Sequence, residues 1–582
     1  MLRILVLQVF CFLLISFAFG SLEHDIELAQ RFLVLEKYDK AAEVLEKLYA
    51  NNPDNSTVQN MLVEAYRGAK KYEKLDALLQ SMILRNPKEP SLWVELGENC
   101  LALNKPKKAM DAFDRAIKLA SSNGKAIAIQ IHQALMLWGY IDDDIEFIKD
   151  SRKRLKDDGF LALDLARLYE IKGRFDDAVS EYAKYLAVHP DRFSDVERRI
   201  DIEERTEEEL LQLRKSLPDL FKAQIPEWQP WRLMGIVEQK LGNYQKAFES
   251  FRKAEDKRQA KFRGTIMSSF TDDMLRIGEF EYALKGAMYL LENCRENMSR
   301  SAYIYVAKAL RGLGRYEEAI AYLDSAMSTK GTRLFRDASV LKARILLDDL
   351  HELDEAERTI EPLFKSPRLI RDPDAAVIKG EILIRRRKFA RAKEFLLDAF
   401  DVGPRNGPIA YLLAMTYFFS GSDDSAKKAL HGVVSMFPES EVANDAVEIL
   451  LVMQTAPEDV ERVREPIYLM FTNDTSGALS RWEKLSEESG NSQISDYILW
   501  KLGQCQLAVG DTSAVGTMRQ IVERYPESFY APLALETLAD EEMKRKNTAA
   551  ATEIYTRIIN EYPEAVNIER VRAKLQDMSS NL

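Results

Sequence analysis

The feature that most constrains this chain is a spacing of 34 residues that recurs along its 582 positions. Pro53 and Pro87 stand one such period apart, and Pro404 and Pro438 repeat the interval. A fixed period of this length is typical of chains built from one small supersecondary unit used many times. The chain also exceeds the roughly 250–300 residues that one compact core can serve. The period therefore favours a repeat array over a single globular core.

The unit is clearest in residues 90–123. Its first half places Trp93, then Leu96 and Gly97 three and four positions later. Further marked positions follow at fixed offsets: Cys100, Ala109, Phe113 and Ala116. This order resembles the tetratricopeptide repeat, in which two antiparallel helices form a hairpin. The resemblance implies that the small residues let the two helices approach, while the bulky ones fill the space between hairpins.

The same template recurs along almost the whole chain after residue 21. Units over residues 22–55, 159–192 and 228–261 match it at several positions each. Further second helices are marked by an alanine: Ala283, Ala319, Ala356, Ala392, Ala426, Ala514 and Ala551. We therefore predict an all-α fold, a tetratricopeptide α-solenoid of helical hairpins in two or three segments. The family resemblance implies a right-handed superhelix whose first helices line the concave face.

The N-terminus has the layout of an export signal. Arg3 supplies one positive side chain, an apolar run follows over residues 4–19, and Ala18-Phe19-Gly20 places small residues before a cleavage site. The alternative is an uncleaved membrane anchor, but the run is shorter than the roughly 20 apolar residues that a spanning helix needs. We predict cleavage before Ser21, which yields an exported chain, periplasmic or secreted, with no membrane span.

Two stretches depart from the template and set the remaining boundaries. Residues 191–226 are rich in charge, and we interpret them as a charged helical insertion or hinge. Residues 441–470 contain Pro457 and Pro466, which should interrupt a regular hairpin. The predicted organisation is a signal peptide over 1–20, an N-terminal array over 22–190, the insertion over 191–226, a central array over 227–440 and C-terminal units over 441–582.

Motifs for catalysis or cofactor binding are absent from the sequence. It has no glycine-rich phosphate loop, no His-Glu-x-x-His and no Gly-x-Ser-x-Gly, and its five histidines share no metal-ligand spacing. Adjacent carboxylates such as Asp142, Asp143 and Asp144 arise by default on helix surfaces in a chain with 93 acidic residues. The net charge of −11 argues against a nucleic-acid partner. We expect no enzyme activity, no cofactor and no bound metal.

One predicted helix offers a candidate protein-binding groove. In the unit over residues 407–440, the positions expected to face the groove carry four large side chains: Tyr411, Met415, Phe418 and Phe419. Aromatic and methionine side chains in a groove suit the capture of a peptide or helix. The alternative is that they pack on a neighbouring hairpin. Nearby, Arg385 can add a positive rim to the groove and also favour the C-terminus of its own helix.

The last two units resemble a narrower group of proteins. Residues 523–531 and 561–565 carry Tyr-Pro junctions similar to those of bacterial envelope repeat proteins, namely the outer-membrane-assembly lipoprotein and the periplasmic partner of the Tol–Pal system. The chain lacks the lipobox cysteine of the first and the N-terminal coiled coil of the second, so neither specific role is transferred. The resemblance implies a bacterial cell-envelope setting.

Together these features predict an exported scaffold or adaptor that binds protein or peptide partners in the bacterial cell envelope. The alternative is a non-catalytic regulatory subunit of an envelope enzyme or secretion complex. A third possibility is an enzyme whose site is built from scattered residues.

Overall fold

The computed structural model of the protein describes residues 22–120, 124–202, 205–259, 262–294, 296–328, 332–365, 372–402, 406–488 and 492–580. Within these ranges the chain forms 32 α-helices in tandem and no β-strand. The predicted all-α class is confirmed. The predicted signal peptide, residues 1–20, lies outside the described residues.

The chain divides into two compact units, the first ending at Ile266 and the second beginning at Met267. The helices up to this boundary are α1 (22–34), α2 (Tyr38–Asn51), α3 (Ser56–Gly68), α4 (Tyr72–Arg85), α5 (Pro90–Ala102), α6 (Pro106–Leu119), α7 (Gly124–Leu137), α8 (Ile141–Leu155), α9 (Ala162–Ile171), α10 (Phe175–Val188), α11 (Phe193–Ile202), α12 (Glu207–Ser216), α13 (Trp228–Lys240), α14 (Tyr244–Lys257) and α15 (Thr265–Ile277), which contains the boundary.

The second unit continues with another series of helices. They are α16 (Phe280–Asn293), α17 (Glu296–Gly312), α18 (Tyr316–Ala326), α19 (Arg333–Arg344), α20 (Leu353–Phe364), α21 (Pro373–Arg385), α22 (Phe389–Val402), α23 (Gly407–Phe419), α24 (Asp423–Met436), α25 (Glu441–Thr455), α26 (Val460–Phe471), α27 (Thr475–Glu488), α28 (Ser495–Ala508), α29 (Ala514–Arg524), α30 (Ala531–Lys544), α31 (Thr548–Glu561) and α32 (Ile568–Ser580). A π-helical turn, Ile345–Asp349, extends α19.

Small residues set the distance between the two helices of a hairpin. Gly97 of α5 lies against the ring of Phe113 in α6, so a Cβ at this position would overlap the ring. Gly235 and Phe251 repeat the contact between α13 and α14. The alanines that the sequence marks in second helices are buried: Ala283, Ala319, Ala356, Ala392, Ala426, Ala514 and Ala551. The predicted hairpin packing is therefore present in both units.

Neighbouring hairpins are joined by an aromatic contact of the same kind. Tyr38, the first residue of α2, packs its ring where a Cβ of Gly68 would stand at the end of α3. Phe280 and Gly312 make the equivalent contact between α16 and α17. Each hairpin thus depends on the next to cover its apolar face, which is the packing expected of a repeat array.

Within the charged segment over 191–226, the described helices α11 and α12 pack in the first unit. Val196 and Ile200 of α11 and Leu213 of α12 are buried. The Arg232 Nε of α13 donates to Glu197 at 2.7 Å, which ties α11 to the following hairpin. The boundary between the compact units lies further along the chain, in α15.

The interruption expected at residues 441–470 is only partly present. Pro457 lies in the turn between α25 and α26, where a proline ends a helix without loss. Pro466 lies inside α26, and the helix continues to Phe471. The expectation that Pro466 breaks this segment is therefore wrong.

Candidate functional site

The structure places the residues of the predicted groove in the core of the second unit. Met415, Phe418 and Phe419 of α23 are buried, with no exposed surface left on Phe418, and Tyr411 is half-buried. This is the packing alternative stated above for the same residues. An exposed groove formed by these side chains is not what the structure has.

The helix that covers them is α26. The ring of Phe419 lies 5.3 Å from the ring of Tyr468 and 5.4 Å from that of Phe471, measured between centroids. The Arg464 guanidinium lies 5.4 Å from the centre of the Phe418 ring. The aromatic face of α23 is therefore occupied by a later segment of the same unit, which the repeat template alone does not predict.

Arg385 does not form a rim. Its side chain is 8% exposed and donates to the Leu347 carbonyl at 2.8 Å and to Asp348 at 3.1 Å. Its own carbonyl accepts a hydrogen bond from the Tyr468 hydroxyl at 2.9 Å. Arg385 therefore ties α21 to the π-helical turn after α19, and the predicted positive rim is absent at this residue.

A different groove lies in the last units, and we call it the C-terminal groove. It encloses about 420 Å³ between α25, α28, the turn before α30 and the start of α32. Its lining is Asn444, Asp445, Val447, Glu448, Leu451, Trp500, Lys501, Gln504, Phe529, Tyr530, Leu533, Val566 and Arg570. These side chains come from helices and turns that together span more than a hundred residues of sequence.

Several large apolar side chains of this groove remain exposed. Val447 and Leu451, one turn apart on α25, are 41% and 43% exposed. Phe529 is 55% exposed in the turn before α30, and Val566 is 62% exposed in the turn before α32. Scattered exposed apolar residues are ordinary on a protein surface, whereas a cluster around one concavity marks an interaction site.

The aromatic wall of the groove is fixed by its neighbours. The Trp500 ring of α28 stacks on Tyr530 with centroids 5.8 Å apart and planes 21° apart. Phe529 meets Tyr530 edge-on at 5.4 Å. The turn itself is tied down because the Ser528 hydroxyl donates to Asp496 at 2.5 Å. The exposed Phe529 ring is therefore presented from an ordered support.

The charged groups of the groove are mostly paired. Lys501 donates to Glu448 at 2.6 Å, and the Arg570 guanidinium makes two hydrogen bonds of 2.6 Å to Glu536. Asp445 is different, since it makes no hydrogen bond or ion pair with any residue that the structure describes. Partial desolvation raises the pKa of the Asp445 carboxyl, an effect that the charge of Lys501 opposes. A carboxylate with no hydrogen-bond or ion-pair partner among the described residues therefore lines the same groove as the exposed apolar residues.

The sequence carried a partial signal for this groove. Phe529 and Tyr530 lie within the Tyr-Pro junction over 523–531, whose sequence indicates a family resemblance and does not by itself indicate a binding site. The residues of α25 lie in the stretch whose prolines suggested irregularity. No periodic pattern shows that α25 borders the turns before α30 and α32, because this proximity depends on the tertiary packing.

A second polar cluster lies buried in the first unit. His132 of α7 lies between Asp144 of α8, with Nδ1 2.8 Å from a carboxylate oxygen, and Asp164 of α9, with Nε2 3.8 Å from another. Burial lowers the pKa of His132, but the hydrogen bonds and charges of the two carboxylates raise it to about 9 overall. Asp144 belongs to the triplet that the sequence suggested was surface charge; it is instead fully buried.

No metal site emerges among the residues that the structure describes, since no three His, Cys, Asp or Glu side chains converge there. In the same residues, no helix is both long enough and apolar enough to cross a bilayer.

Models of the tetratricopeptide repeat match residues 26–74, 90–123, 301–331 and 497–528. The chain therefore contains tetratricopeptide repeats in both compact units, and the last match ends at the turn that carries Phe529. No curated protein matches the chain's sequence.

Three solved structures are similar to the chain over most of its length. A chain in the structure of Naa15/Naa10 bound to HypK-THB is 12% identical, with 96% of each chain covered and a TM-score of 0.25. A chain in the APC/C hetero-tetramer Cut9-Hcn1 is 13% identical, with 97% of each covered and a TM-score of 0.25. Yeast Tom70 is 15% identical over 77% of this chain and 98% of that chain, with a TM-score of 0.30. At these values the likenesses carry no information about function.

Proposed function

We propose that this chain of tetratricopeptide repeats is a non-catalytic scaffold that binds a segment of a partner protein in the C-terminal groove. The observation that carries the proposal is the cluster of exposed apolar side chains around one concavity, above all Val447, Leu451 and Phe529. An apolar partner surface that covers these side chains releases water from them, which favours binding. The aromatic wall of the groove is already ordered at this place.

The groove suits a protein segment better than a small metabolite. Its apolar residues are spread over α25, the turn before α30 and the turn before α32, so one ligand must be long enough to touch all three. Tetratricopeptide-repeat proteins bind protein partners. The fixed position of the turn that carries Phe529 also favours binding, because an already ordered ring loses little conformational entropy when a partner covers it.

The setting that we propose is the bacterial cell envelope, reached by export. Arg3, the apolar run over 4–19 and Ala18-Phe19-Gly20 support a cleaved signal. The Tyr-Pro junctions of the last units support an envelope role by resemblance.

Export is tested by sequencing the N-terminus of the protein from cells that make it naturally. We expect the exported form to begin at or near Ser21. Material that keeps Met1 and sediments with membranes would show an anchor instead.

Binding is tested by site-specific crosslinking in the same cells. p-Benzoylphenylalanine replaces either Val447 or Phe529, and a third version carries it at Val188, which is 65% exposed on α10 in the first unit. We expect a crosslinked partner from positions 447 and 529 and none from 188. Equal crosslinking from all three positions, or from 188 alone, would contradict the proposal.

The partner so identified then allows an affinity measurement. Phe529→Ala should weaken its binding by about 10- to 100-fold, which corresponds to roughly 1–3 kcal/mol. The melting temperature should stay unchanged, because the ring is more than half exposed. Unaltered affinity would place the interface elsewhere.

A further inference from the structure

We infer that the C-terminal groove selects partner segments that carry a lysine or arginine beside apolar residues, with the cation paired to Asp445. The inference rests on the proposed function, since it names the chemistry of the segment bound there. The inference concerns the charge of the partner segment, which the exposed apolar residues alone do not determine.

The first argument comes from the charges that the groove already pairs. Lys501 is held by Glu448 at 2.6 Å, and both side chains are mostly buried. Arg570 is held by Glu536 through two hydrogen bonds of 2.6 Å. An acidic partner would have to compete with Glu448 or Glu536 for a cation. The groove therefore offers no free positive charge among its described lining residues.

Asp445 supplies the opposite case. It lies on α25 one turn before Glu448, and within the described chain its carboxylate has neither a hydrogen-bond donor nor a cation in contact. Val447 and Leu451 project from other positions around the same helix and line the same groove. A segment that fills the groove and covers these two residues would also remove water from the exposed Asp445 carboxylate.

The free energy of binding depends on the charge of the side chain that the partner segment places next to Asp445. A carboxylate that loses water and gains no partner opposes binding, whereas one that gains an ammonium or guanidinium is compensated. A partner carboxylate at the same place would add repulsion between like charges. Asp445 therefore discriminates against uncharged and acidic segments while the apolar residues supply the attraction.

The test uses a phage-displayed library of random 16-residue peptides, selected on the chain from Ser21 to Leu582. Parallel selections use Asp445→Asn, Asp445→Lys and Phe529→Ala. The matched control is Asp424→Asn, which removes an exposed carboxylate from α24, outside the groove. A thermal melt of each variant shows that it is folded.

The expected peptides from the unaltered chain carry lysine or arginine next to aliphatic or aromatic residues. Asp445→Asn should weaken binding of these peptides by at least about tenfold, and Asp445→Lys should shift the selection toward acidic peptides. Asp424→Asn should leave both results unchanged.

Two results would overturn the inference in distinguishable ways. If the selected peptides are apolar without a basic residue, bind Asp445→Asn equally well and lose affinity for Phe529→Ala, the groove binds apolar segments but does not read charge. If every peptide that the unaltered chain enriches is also enriched by Phe529→Ala, the groove is not the binding site. The proposed function is then wrong together with the inference.

Discussion

Phe418 and Phe529 are both phenylalanines of the second unit, but their surroundings differ completely. Phe418 is enclosed between α23 and α26 under the Arg464 guanidinium. Phe529 stands more than half exposed beside Tyr530. The sequence places Phe418 on a predicted helix face and Phe529 in a Tyr-Pro junction, and neither pattern shows how exposed the side chain is. Their roles differ because one has been covered by a later helix and the other has not.

We predict that Phe418→Ala lowers the free energy of unfolding of the second unit by about 3–5 kcal/mol, because the substitution leaves a cavity in a closed core. Chemical unfolding followed by fluorescence, with hydrogen exchange over α23 and α26, measures the change.

Two variants serve as controls for this prediction. Phe529→Ala should change stability by no more than about 0.5 kcal/mol. Asp511→Asn should do the same, because Asp511 is exposed and accepts a hydrogen bond from the Ser513 amide at 2.9 Å, which an asparagine oxygen can also accept. If Phe418→Ala left stability unchanged and weakened partner binding instead, the core role assigned to Phe418 would be wrong.

At the scale of helices, charged groups fix how successive elements meet. His132 joins α7 to α8 and α9 through two carboxylates. Glu536 joins α30 to α32 through Arg570, Lys574 and Asn567. Both clusters are buried on at least one side, so their protonation is coupled to the stability of the helices they connect.

The His132 cluster predicts a loss of stability at alkaline pH. Its folded pKa of about 9 lies above the ordinary value of 6.5, so protonation favours the folded state. The stabilisation is fully present below about pH 6.5 and is lost as the pH rises through about 9. We expect it to reach the order of 1–3 kcal/mol. The difference in stability between the unaltered chain and His132→Gln should shrink over this range. A difference independent of pH would show that His132 is neutral in the folded state.

The Glu536 cluster predicts the opposite dependence at acid pH. Burial raises the pKa of Glu536, but hydrogen bonds from Arg570, Lys574 and Asn567 lower it to about 2 overall, against an ordinary value of 4.5. The stabilisation is therefore present above about pH 4.5 and is lost as the pH falls toward 2.

We expect Glu536→Gln to loosen α32 at neutral pH by about 1–3 kcal/mol, because Arg570, Lys574 and Asn567 lose the buried charged acceptor that they share. Hydrogen exchange of residues 568–580 measures this. Glu569→Gln, at an exposed position of the same helix, is the matched control. Equal exchange in both variants would show that Glu536 does not hold α32.

Over the whole molecule, stability is the sum of many contacts between adjacent helices, and the chain forms two compact units. A local defect should therefore stay local. Gly97 provides the test, because its replacement by a larger residue would push directly against Phe113.

Gly97→Leu should cost about 1–3 kcal/mol by overpacking the hairpin of α5 and α6. Faster hydrogen exchange should be concentrated in the first unit and leave α28 to α32 unchanged. Gly516→Leu is the matched control, because a Cβ at this exposed position of α29 would meet no atom within 4 Å. Uniform loosening through residue 580 would contradict the repeat-array picture.

The sequence by itself determined the helical hairpins. The spacing of Gly97, Ala109 and Phe113 lies within one hairpin, and similar spacings recur in the other repeats. The same period located the second helices, whose alanines are buried as expected. Only the tertiary structure decided which aromatic residues stay exposed. Phe418 is covered by α26, whereas Asp445, Phe529 and Val566 line one open groove, through packing between segments far apart in sequence. A repeat pattern fixes how each unit meets its neighbour, but it carries no information about the departures from regular stacking that close one groove and open another.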